Sequence, residues 1–301
     1  MQRFYALFLI TSLLSIPAFA HGDGSHFANT QEVTVKTQKV SGNVYMLQGQ
    51  GGNVGAINGP DGILIIDDDY KAVSQKLSEA LKELGSPFPK FILNTHWHGD
   101  HTQGNEFFGK QQSIIVAHAN VRKRLLDPPV IFGQKTAAYA AVALPMLTYS
   151  EKMSIHFDDE DITLVYYPNG HTDGDTVVFF KKANVVHLGD DFFVGRFPFV
   201  DIDSGGSVQG MINNVTSLLK TIPSDASIIP GHGPLAKLAD LQTYRDALVE
   251  TAAVVQDQMK NKKSLEEIKK TGLPKKFDSF GTGFIKTDQW IETIYRSYSQ
   301  K

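Results

Sequence analysis

Short apolar runs separated by clusters of turn residues recur along the first three quarters of the chain, and this pattern predicts strands. The first run, at 33–40, alternates in part, with Val33 and Val35 followed by Thr37. Turn chemistry such as Asn-Gly-Pro-Asp-Gly at 58–62 separates the runs. Further runs of this kind lie at 43–47, 54–57, 63–66, 91–93, 113–117, 152–157, 162–167, 176–180, 184–188 and 227–229.

Apolar residues at helical spacing lie between these runs and dominate the last quarter of the chain. Over 70–84 they recur every three or four positions, which predicts a helix that Gly85 and Pro87 terminate. The segment 127–150 allows no assignment, because prolines and Gly133 interrupt it; it is either a lid or pocket wall, or a surface loop. Further helices are predicted at 119–126, 207–219, 240–260, 264–270 and 288–298.

The order of these elements predicts an α/β arrangement. Two β-rich halves each close with helices, and each sheet must bury an apolar face against another element. We therefore expect two sheets packed face to face, with helices on their outer faces.

Composition and charge suit a globular protein and argue against one class of partner. The 301 residues are 42% hydrophobic and 20% charged, which supplies the core of one large domain or of two small fused domains. The formal net charge is -3, and no basic run is interleaved with aromatic residues, so we expect no nucleic-acid surface. Nothing in the sequence indicates the oligomeric state.

Residues 1–20 have the character of a secretory signal peptide. A basic residue precedes a nearly continuous apolar run at 4–16, and an Ala-x-Ala cleavage signal ends at Ala20. The run is short for a membrane span, so an uncleaved anchor is the less favoured alternative. We expect a periplasmic or secreted protein without stable membrane insertion, whose mature chain begins with a polar tail that carries His21 and His26.

Residues 94–101, Asn-Thr-His-Trp-His-Gly-Asp-His, concentrate three imidazoles and a carboxylate within six positions. The apolar run 91–93 precedes them, and Thr102 and Glu106 follow as a helix cap and a residue of the first turns. The cluster should therefore lie on a strand-to-helix loop, where α/β proteins commonly place chemistry. A histidine-rich surface loop is the alternative, but it does not explain the position directly after a buried strand.

The spacing within this cluster suits two cations. His96 and His98 are two apart, so an extended backbone directs both to one side. Gly99 permits a sharp turn, after which Asp100 and His101 face a second point. Neutral imidazole and carboxylate suit zinc, iron or manganese. The chain has no cysteine, so no thiolate takes part and no disulfide stabilises the protein.

The cluster resembles the His-x-His-x-Asp-His signature of the metallo-β-lactamase superfamily, and the resemblance extends over residues 40–235. Residues 170–174 match the superfamily pattern Gly-His-Thr-x-Gly around His171, and residues 231–233 match Gly-His-Gly around His232. The resemblance implies a four-layer α/β/β/α sandwich of two mixed β-sheets. The order of the predicted elements is compatible with that architecture.

The resemblance also implies two metal positions that share one ligand. Members of the superfamily carry an aspartate or a cysteine where this chain has Asp190, and Asp191 is the nearest alternative. A carboxylate can bridge two cations because each oxygen contacts one of them. Two zinc ions are expected, with iron or manganese as alternatives. The implied first position comprises His96, His98 and His171, and the second comprises Asp100, His101 and His232, with Asp190 bridging.

Three residues outside this set are candidates for supporting roles. Asp67 closes the run 63–66 and matches an acidic residue that supports the site in the superfamily, where holding a ligating imidazole is the expected role; turn capping is the alternative. Phe193 belongs either to an apolar pocket wall or to the core, and Arg196 is suited to pair with a substrate carboxylate. Many β-lactamases of the superfamily carry lysine at the position of Phe193, which weakens a dedicated β-lactamase interpretation.

These features predict a metal-dependent hydrolase domain at 41–301, with its core at 41–235 and helices at 236–301, after a tail and first strand at 21–40. We expect metal hydroxide, oriented by Asp100, to attack a carbonyl or phosphoryl centre of a small-molecule substrate. β-Lactams are one substrate class, and another ester, a lactone or a thioester is the second. A non-catalytic metal-binding protein is the remote alternative, against which the second metal position argues.

Overall fold

Two β-sheets form the centre of the fold, one with seven strands and one with five. A computed structural model of the chain describes residues 33–131 and 134–299. The expected signal peptide at 1–20 and the tail with His21 and His26 lie outside the described residues. The strands are β1 (Lys36–Ser41), β2 (Val44–Gln48), β3 (Val54–Gly59), β4 (Gly62–Ile66), β5 (Phe91–Asn94), β6 (Ile114–His118), β7 (Val130–Ile131), β8 (Gln134–Lys135), β9 (Leu147–Tyr149), β10 (Lys152–Phe157), β11 (Glu160–Tyr166), β12 (Thr176–Phe180), β13 (Val185–His187) and β14 (Ser227–Ile229).

Eight α-helices accompany the strands in the part of the chain that the structure describes. The longest spans 23 residues and belongs to the group that closes the second half. Among the described residues, no helix combines the length and apolar character that crossing a bilayer requires. The helices are α1 (Ser74–Glu83), α2 (Gly99–Thr102), α3 (Asn105–Gly109), α4 (Ala119–Leu126), α5 (Val208–Thr221), α6 (Leu238–Lys260), α7 (Leu265–Thr271) and α8 (Thr287–Ser299).

Both large sheets are mixed. The first has the order β1-β2-β3-β4-β5-β6-β9, in which β1 to β4 pair antiparallel and β4, β5, β6 and β9 pair parallel. The second has the order β10-β11-β12-β13-β14 and is antiparallel except for the β13–β14 pair. Strands β7 and β8 form a separate hairpin.

Alternating side chains divide each sheet between an inner and an outer face. On β4, Leu64 packs with residues of the second sheet, whereas Ile63 and Ile65 pack against α1. On the second sheet, α5, α6 and α8 cover the outer face around Val186 and Ile228. The expected four-layer α/β/β/α sandwich is therefore confirmed.

The helix after the histidine cluster begins earlier than the sequence pattern indicates. It starts at Gly99 with His98 as its N-cap residue, so Asp100 and His101 lie on a helical turn rather than on the loop itself. Thr102 lies inside this turn, where its hydroxyl donates a hydrogen bond to the carbonyl oxygen of His98 at 2.9 Å. The prediction that Thr102 caps the helix was wrong, because its hydroxyl bonds backward along the turn.

The segment 127–150, for which the pattern allows no assignment, contains the β7–β8 hairpin and the edge strand β9. Strand β9 pairs in parallel only with β6, and Leu147 on it is 41% exposed. A three-residue edge strand with exposed apolar side chains shows no alternation of apolar and polar positions. Its hydrogen bonds to β6 therefore identify it as a strand, whereas its sequence does not.

Candidate metal centre

Hydrogen bonds between Thr95 and Asp67 anchor the start of the histidine cluster to the end of β4. The backbone N–H of Thr95 donates to Asp67 Oδ1 at 2.7 Å, and the Thr95 hydroxyl donates to Asp67 Oδ2 at 2.7 Å. Asp67 itself adopts a left-handed backbone conformation with φ of 62°, which turns its carboxylate toward β5. The loop that follows β5 therefore starts from a fixed point in the buried interior.

The first group of ligand atoms comes from both sheets. Nδ1 of His98 lies 2.8 Å from Nε2 of His171, and Asp190 Oδ2 lies 3.3 Å from that same His171 nitrogen. Nε2 of His96 is 3.8 Å from Asp190 Oδ2. It is buried and has no hydrogen-bond partner among the described residues. Four buried side chains thus direct nitrogen or oxygen lone pairs to one point.

The second group joins the α2 turn to the turn after β14. Asp100 Oδ2 lies 3.2 Å from His232 Nε2 and 3.6 Å from His101 Nε2. The two imidazole nitrogens are 3.4 Å apart. These three atoms form a second cluster with the composition of a metal site.

Asp190 lies between the two groups, in the short helical turn Gly189–Asp191 after β13. Its Oδ1 is 3.1 Å from His101 Nε2 and 3.4 Å from His232 Nε2, whereas its Oδ2 faces the first group. The alternative, Asp191, instead accepts a hydrogen bond from the Asn214 amide at 3.3 Å. The geometry therefore favours Asp190 as the shared residue.

The ring nitrogens of His96, His98, His101 and His171 that face away from the two groups each have a partner. These contacts fix the orientation and tautomer of the rings, which is how outer partners tune metal-binding histidines. Asp67 is such a partner, as the sequence predicts, because its Oδ2 accepts from His101 Nδ1 at 2.7 Å. The others are Asp201 Oδ2 at 3.0 Å from His98 Nε2, the Phe199 carbonyl oxygen at 2.7 Å from His171 Nδ1, and Thr95 Oγ1 at 3.0 Å from His96 Nδ1.

Asp201 is a functional residue that sequence reasoning missed. Its backbone N–H donates to the His171 carbonyl oxygen at 2.9 Å, and its Oδ1 accepts from the Ser204 N–H at 3.0 Å. A Cβ on Gly206 would overlap the His171 carbonyl group, so only glycine fits there. The turn-rich sequence Asp-Ile-Asp-Ser-Gly-Gly-Ser at 201–207, directly before a helix, is the signal that could have found this segment.

Burial dominates the electrostatics of the first group. It lowers the pKa of His96 well below its ordinary value, and the charge of His101 acts in the same direction. Burial also lowers the pKa of His171 to about 4, against the opposing effect of the Asp190 carboxylate. Both rings are therefore neutral at pH 7, which is the form in which imidazole binds a metal ion.

The second group has the opposite balance. Burial alone would lower the pKa of His101, but the nearby carboxylates, led by Asp190, hold this pKa well above its ordinary value. Against the effect of burial, Asp190 and Asp100 raise the pKa of His232 to about 9. The resulting negative potential favours positive charge at this point, so a cation bound there would displace the ring protons.

The residue set fits divalent cations. Its donors are nitrogen and carboxylate oxygen, which suit zinc, iron or manganese. One buried ligand atom, His96 Nε2, has no hydrogen-bond partner within the described ranges. A buried polar atom without a partner is costly, and a coordinated cation would satisfy it.

Aromatic side chains form the rim of the centre. Phe193 stacks on His232 with ring centroids 5.1 Å apart, and Phe199 lies 5.5 Å from the His98 ring. The aliphatic stem of Arg196 packs beside Gly283, in the segment before α8. Phe193 and Arg196 both belong to the chain segment between Asp190 and Asp201. Phe193 is only 7% exposed.

Among the residues that the structure describes, three histidines lie outside the two groups. His118 stacks on Tyr166 with ring centroids 3.9 Å apart, and its Nε2–H donates to the Ser150 carbonyl oxygen at 2.9 Å. His187 is buried and donates to the Asn53 carbonyl oxygen at 3.0 Å. His156 is exposed on β10.

Known proteins share the sequence pattern of this chain. The sequence profile of the metallo-β-lactamase superfamily matches residues 40–252. The probable metallo-hydrolase YqgX of Bacillus subtilis is 27% identical over 188 residues, which cover 60% of this chain and 88% of that protein. The residues matched by the superfamily profile include the segments that carry the two groups of ligand atoms.

Solved structures share the fold. The metallo-β-lactamase DIM-1 superposes with a TM-score of 0.59 at 20% identity and covers 73% of this chain and 100% of its own. The stereoselective inverting sec-alkylsulfatase Pisa1 from Pseudomonas sp. superposes with a TM-score of 0.64 at 16% identity and covers 88% of this chain and 50% of its own. At these identities the likeness concerns the fold alone.

Proposed function

Because the chain belongs to the metallo-β-lactamase superfamily, we propose that it is an exported hydrolase that holds two zinc ions and cleaves a small carbonyl substrate. Family membership and the cluster of His96, His98, His171 and Asp190 make it a metallo-hydrolase. The observation that supports a second ion is the position of Asp190, whose two carboxylate oxygens face different groups of ligand atoms.

The first group would hold one cation and Asp100, His101 and His232 the other, with Asp190 contacting both. When bound, such a pair lowers the pKa of water to about 7 and polarises the oxygen of a carbonyl or phosphoryl group. The protein contributes position and protonation: Asp67 and Asp201 hold His101 and His98 in one tautomer, and burial excludes competing water.

We assign to Asp100 the interaction with the proton of the attacking water. Its side chain is 21% exposed and that of Asp190 only 5%, so water reaches Asp100 more easily. Without a bound cation, and against the effect of burial, the protonated rings of His101 and His232 hold the pKa of Asp100 at about 2, and a cation would replace their positive charge. Its carboxylate is therefore ionised at neutral pH and accepts a hydrogen bond from the attacking water, which it orients toward the substrate.

The rim supports a substrate with an apolar part next to its reacting carbonyl. Phe193 and Phe199 flank His232 and His98, and Arg196 offers a cation for a substrate carboxylate on the same segment. β-Lactams fit this description, and other esters, lactones and thioesters are the alternative substrate class.

Hydrolysis is tested with the purified mature protein. We expect close to two equivalents of zinc and turnover of at least one substrate among a chromogenic cephalosporin, carboxylic esters, lactones, thioesters and phosphoesters, abolished by a chelator. A secondary alkyl sulfate belongs in the panel, since the alkylsulfatase fold covers more of this chain than the lactamase fold does. Inactivity across the whole panel would contradict a hydrolase of these substrates.

Matched variants assign the activity to the centre. His171→Ala should remove one equivalent of metal, and Asp100→Ala should remove metal, turnover or both. His156→Ala, a change at an exposed histidine on β10, should leave both unchanged. Unaltered metal content and turnover in Asp100→Ala and His171→Ala would overturn the proposed site.

Export is tested separately. Expressed from the full sequence in a bacterial host, the protein should appear outside the cytoplasm with a mature amino terminus after Ala20. Recovery of the uncleaved chain from the cytoplasm would contradict this part of the proposal without affecting the chemistry.

A further inference from the structure

The glycine-rich loop at 49–53, between β2 and β3, contains no metal-binding side chain, yet it contacts both chain segments that form the second group. The backbone N–H of Gly52 donates to the Asp100 carbonyl oxygen at 3.0 Å. The next N–H, that of Asn53, donates to the Gly231 carbonyl oxygen at 2.8 Å. Consecutive peptide groups of one loop thus contact the turn with Asp100 and the turn that precedes His232.

The loop approaches these segments too closely for side chains. A Cβ on Gly52 would overlap the His101 ring, and a Cβ on Gly51 would lie 2.6 Å from the Asp100 carbonyl oxygen. Residues with a Cβ are excluded from both positions by this contact with groups that carry or orient ligand atoms. The glycines therefore allow the loop both to reverse direction and to pack closely against the α2 turn.

Asn53 holds the loop against the second sheet. Its side chain is buried, and its Nδ2 donates to the carbonyl oxygens of Pro230 at 2.8 Å and Gly233 at 3.0 Å. These two carbonyls belong to the residues on either side of the Gly-His segment at 231–232. The Asn53 side chain consequently fixes the turn that presents His232.

Asp69 holds the loop against the first sheet. Its Oδ1 accepts from the Gly51 N–H at 2.8 Å, and its Oδ2 accepts from the Gln50 N–H at 3.1 Å. Asp69 has a left-handed backbone with φ of 61°, a conformation that requires compensation from such contacts. Asp69 thus holds the first part of the loop to the first sheet, and Asn53 holds its last part to the second sheet.

We propose that the glycine-rich loop sets the spacing of Asp100, His101 and His232, and that it thereby controls how tightly the second metal ion binds relative to the first. Asn53 and Asp69 are its positioning residues. Within residues 33–131 and 134–299, the loop makes no hydrogen bond to His96, His98 or His171, so the first ion is largely independent of it. This inference rests on the proposed two-metal centre.

The test is a metal titration of the metal-free, full-length mature protein. Zn²⁺ binding is followed by competition with a chromophoric chelator and by native mass spectrometry, and Co²⁺ spectra report the two coordination environments. In Asn53→Ala we expect the second dissociation constant to rise about 10- to 100-fold, the range typical for loss of a contact behind a metal ligand, with the first unchanged.

The matched control is Asn58→Ala. Asn58 lies on β3, and its amide also donates to a backbone carbonyl oxygen, that of Leu84, at 2.7 Å, but it lies far from the centre along the strand. We expect its two dissociation constants to equal those of the wild type. A general loss of stability would weaken the binding of both ions. The ratio of the two dissociation constants would then stay unchanged, whereas loss of the loop contact raises only the second constant.

A second variant keeps the inference testable if Asn53→Ala does not fold. Asp69→Asn retains one acceptor oxygen for the loop, so we expect it to fold and to weaken only the second ion, less than Asp69→Ala does. A wild-type protein that binds fewer than two ions would overturn the two-metal proposal itself. If the wild type binds two ions, the Asn53 and Asp69 variants test the loop by itself. Variants that leave both dissociation constants unchanged, or raise both equally, would overturn the role of the loop alone.

Discussion

At the scale of single residues, the centre depends on two carboxylates that contact the candidate ligand rings from behind. Asp67 and Asp201 each accept a hydrogen bond from the ring nitrogen that points away from a ligand group. Each also caps local backbone, Asp67 at Thr95 and Asp201 at Ser204. One side chain therefore couples the shape of a loop to the orientation of an imidazole, and its loss affects both.

Replacing Asp201 should weaken the first metal position. In Asp201→Ala, His98 loses the acceptor that orients its ring, so we expect metal affinity or turnover to fall about 10- to 100-fold. Asp203→Ala is the matched control, because Asp203 lies in the same short helical turn but makes only an exposed pair with Arg296. Metal titration checks this, and equal effects of both substitutions would contradict it.

His118 should make the unfolding free energy depend on pH. Its Nδ1 accepts from the Asn120 N–H and caps α4, a role open only to the neutral ring, and burial lowers the pKa of His118. The unfolded chain therefore binds a proton that the folded protein does not, and stability falls as pH drops from about 6.5 through the lower folded pKa. His118→Gln should be less stable than wild type at pH 8.

The difference between the two proteins should then narrow as pH falls, because only the wild type loses this contribution. Urea unfolding of both proteins at pH 8, 6 and 5 measures it. Parallel pH profiles for wild type and His118→Gln would show that His118 does not titrate in this way.

At the scale of elements, the C-terminal helix supports the rim of the centre. Trp290 on α8 is fully buried, donates through Nε1 to the Thr251 hydroxyl at 3.0 Å, and stacks on Phe197 with ring centroids 5.6 Å apart. Phe197 belongs to the segment between Asp190 and Asp201. Helix α8 lies beyond residues 40–252, which the family profile matches.

Truncating this tryptophan should destabilise the protein. Trp290→Ala removes a large buried ring and a hydrogen bond, and the cavity should cost about 3–5 kcal/mol of unfolding free energy. Trp290→Phe should cost less, since it keeps the stacking on Phe197. Denaturant unfolding checks both. Arg296→Ala, on the same helix but exposed, should cost at most about 1 kcal/mol, and a similar cost for all three would contradict the assignment.

At the scale of the whole molecule, the centre joins the two sheets. His96, His98, Asp100 and His101 follow a strand of the first sheet, and His171, Asp190 and His232 lie on turns of the second. Cations bound there would add links between elements that already meet through apolar contacts and a few hydrogen bonds. Since binding restricted to the folded state adds to stability, metal ions should stabilise the sandwich as a unit.

Metal removal should therefore lower the melting temperature. With free metal at 1,000 times each dissociation constant, each bound ion adds about 4 kcal/mol, which corresponds to roughly 10 °C for a protein of this size, and two ions add about twice as much. Thermal unfolding before and after dialysis against a chelator measures it, and added Zn²⁺ should restore the higher value. His171→Ala should show a smaller shift, and an unchanged melting temperature in the wild type would contradict this role.

The local pattern predicted most elements and brought out the ligand candidates. Strands β10, β12 and β14 and helix α4 coincide with the predicted runs, because alternation and helical spacing are properties of neighbouring residues. The candidate ligands at 96–101 stand out because metal chemistry requires particular side chains at short spacing in tight turns. His171, Asp190, His232 and Asp67 follow from the resemblance to the superfamily's patterns, since they lie far from that cluster in the sequence.

Only the tertiary structure decided which distant groups meet these side chains. Asp201 contacts His98 across 103 positions, and Asn53 contacts Pro230 across 177. A hydrogen bond from a polar side chain to a distant ring or backbone carbonyl leaves no periodic trace in the sequence, because any turn could contain the same residues. The choice between Asp190 and Asp191 has the same origin: both are adjacent in the chain, and the direction in which each carboxylate points depends on packing.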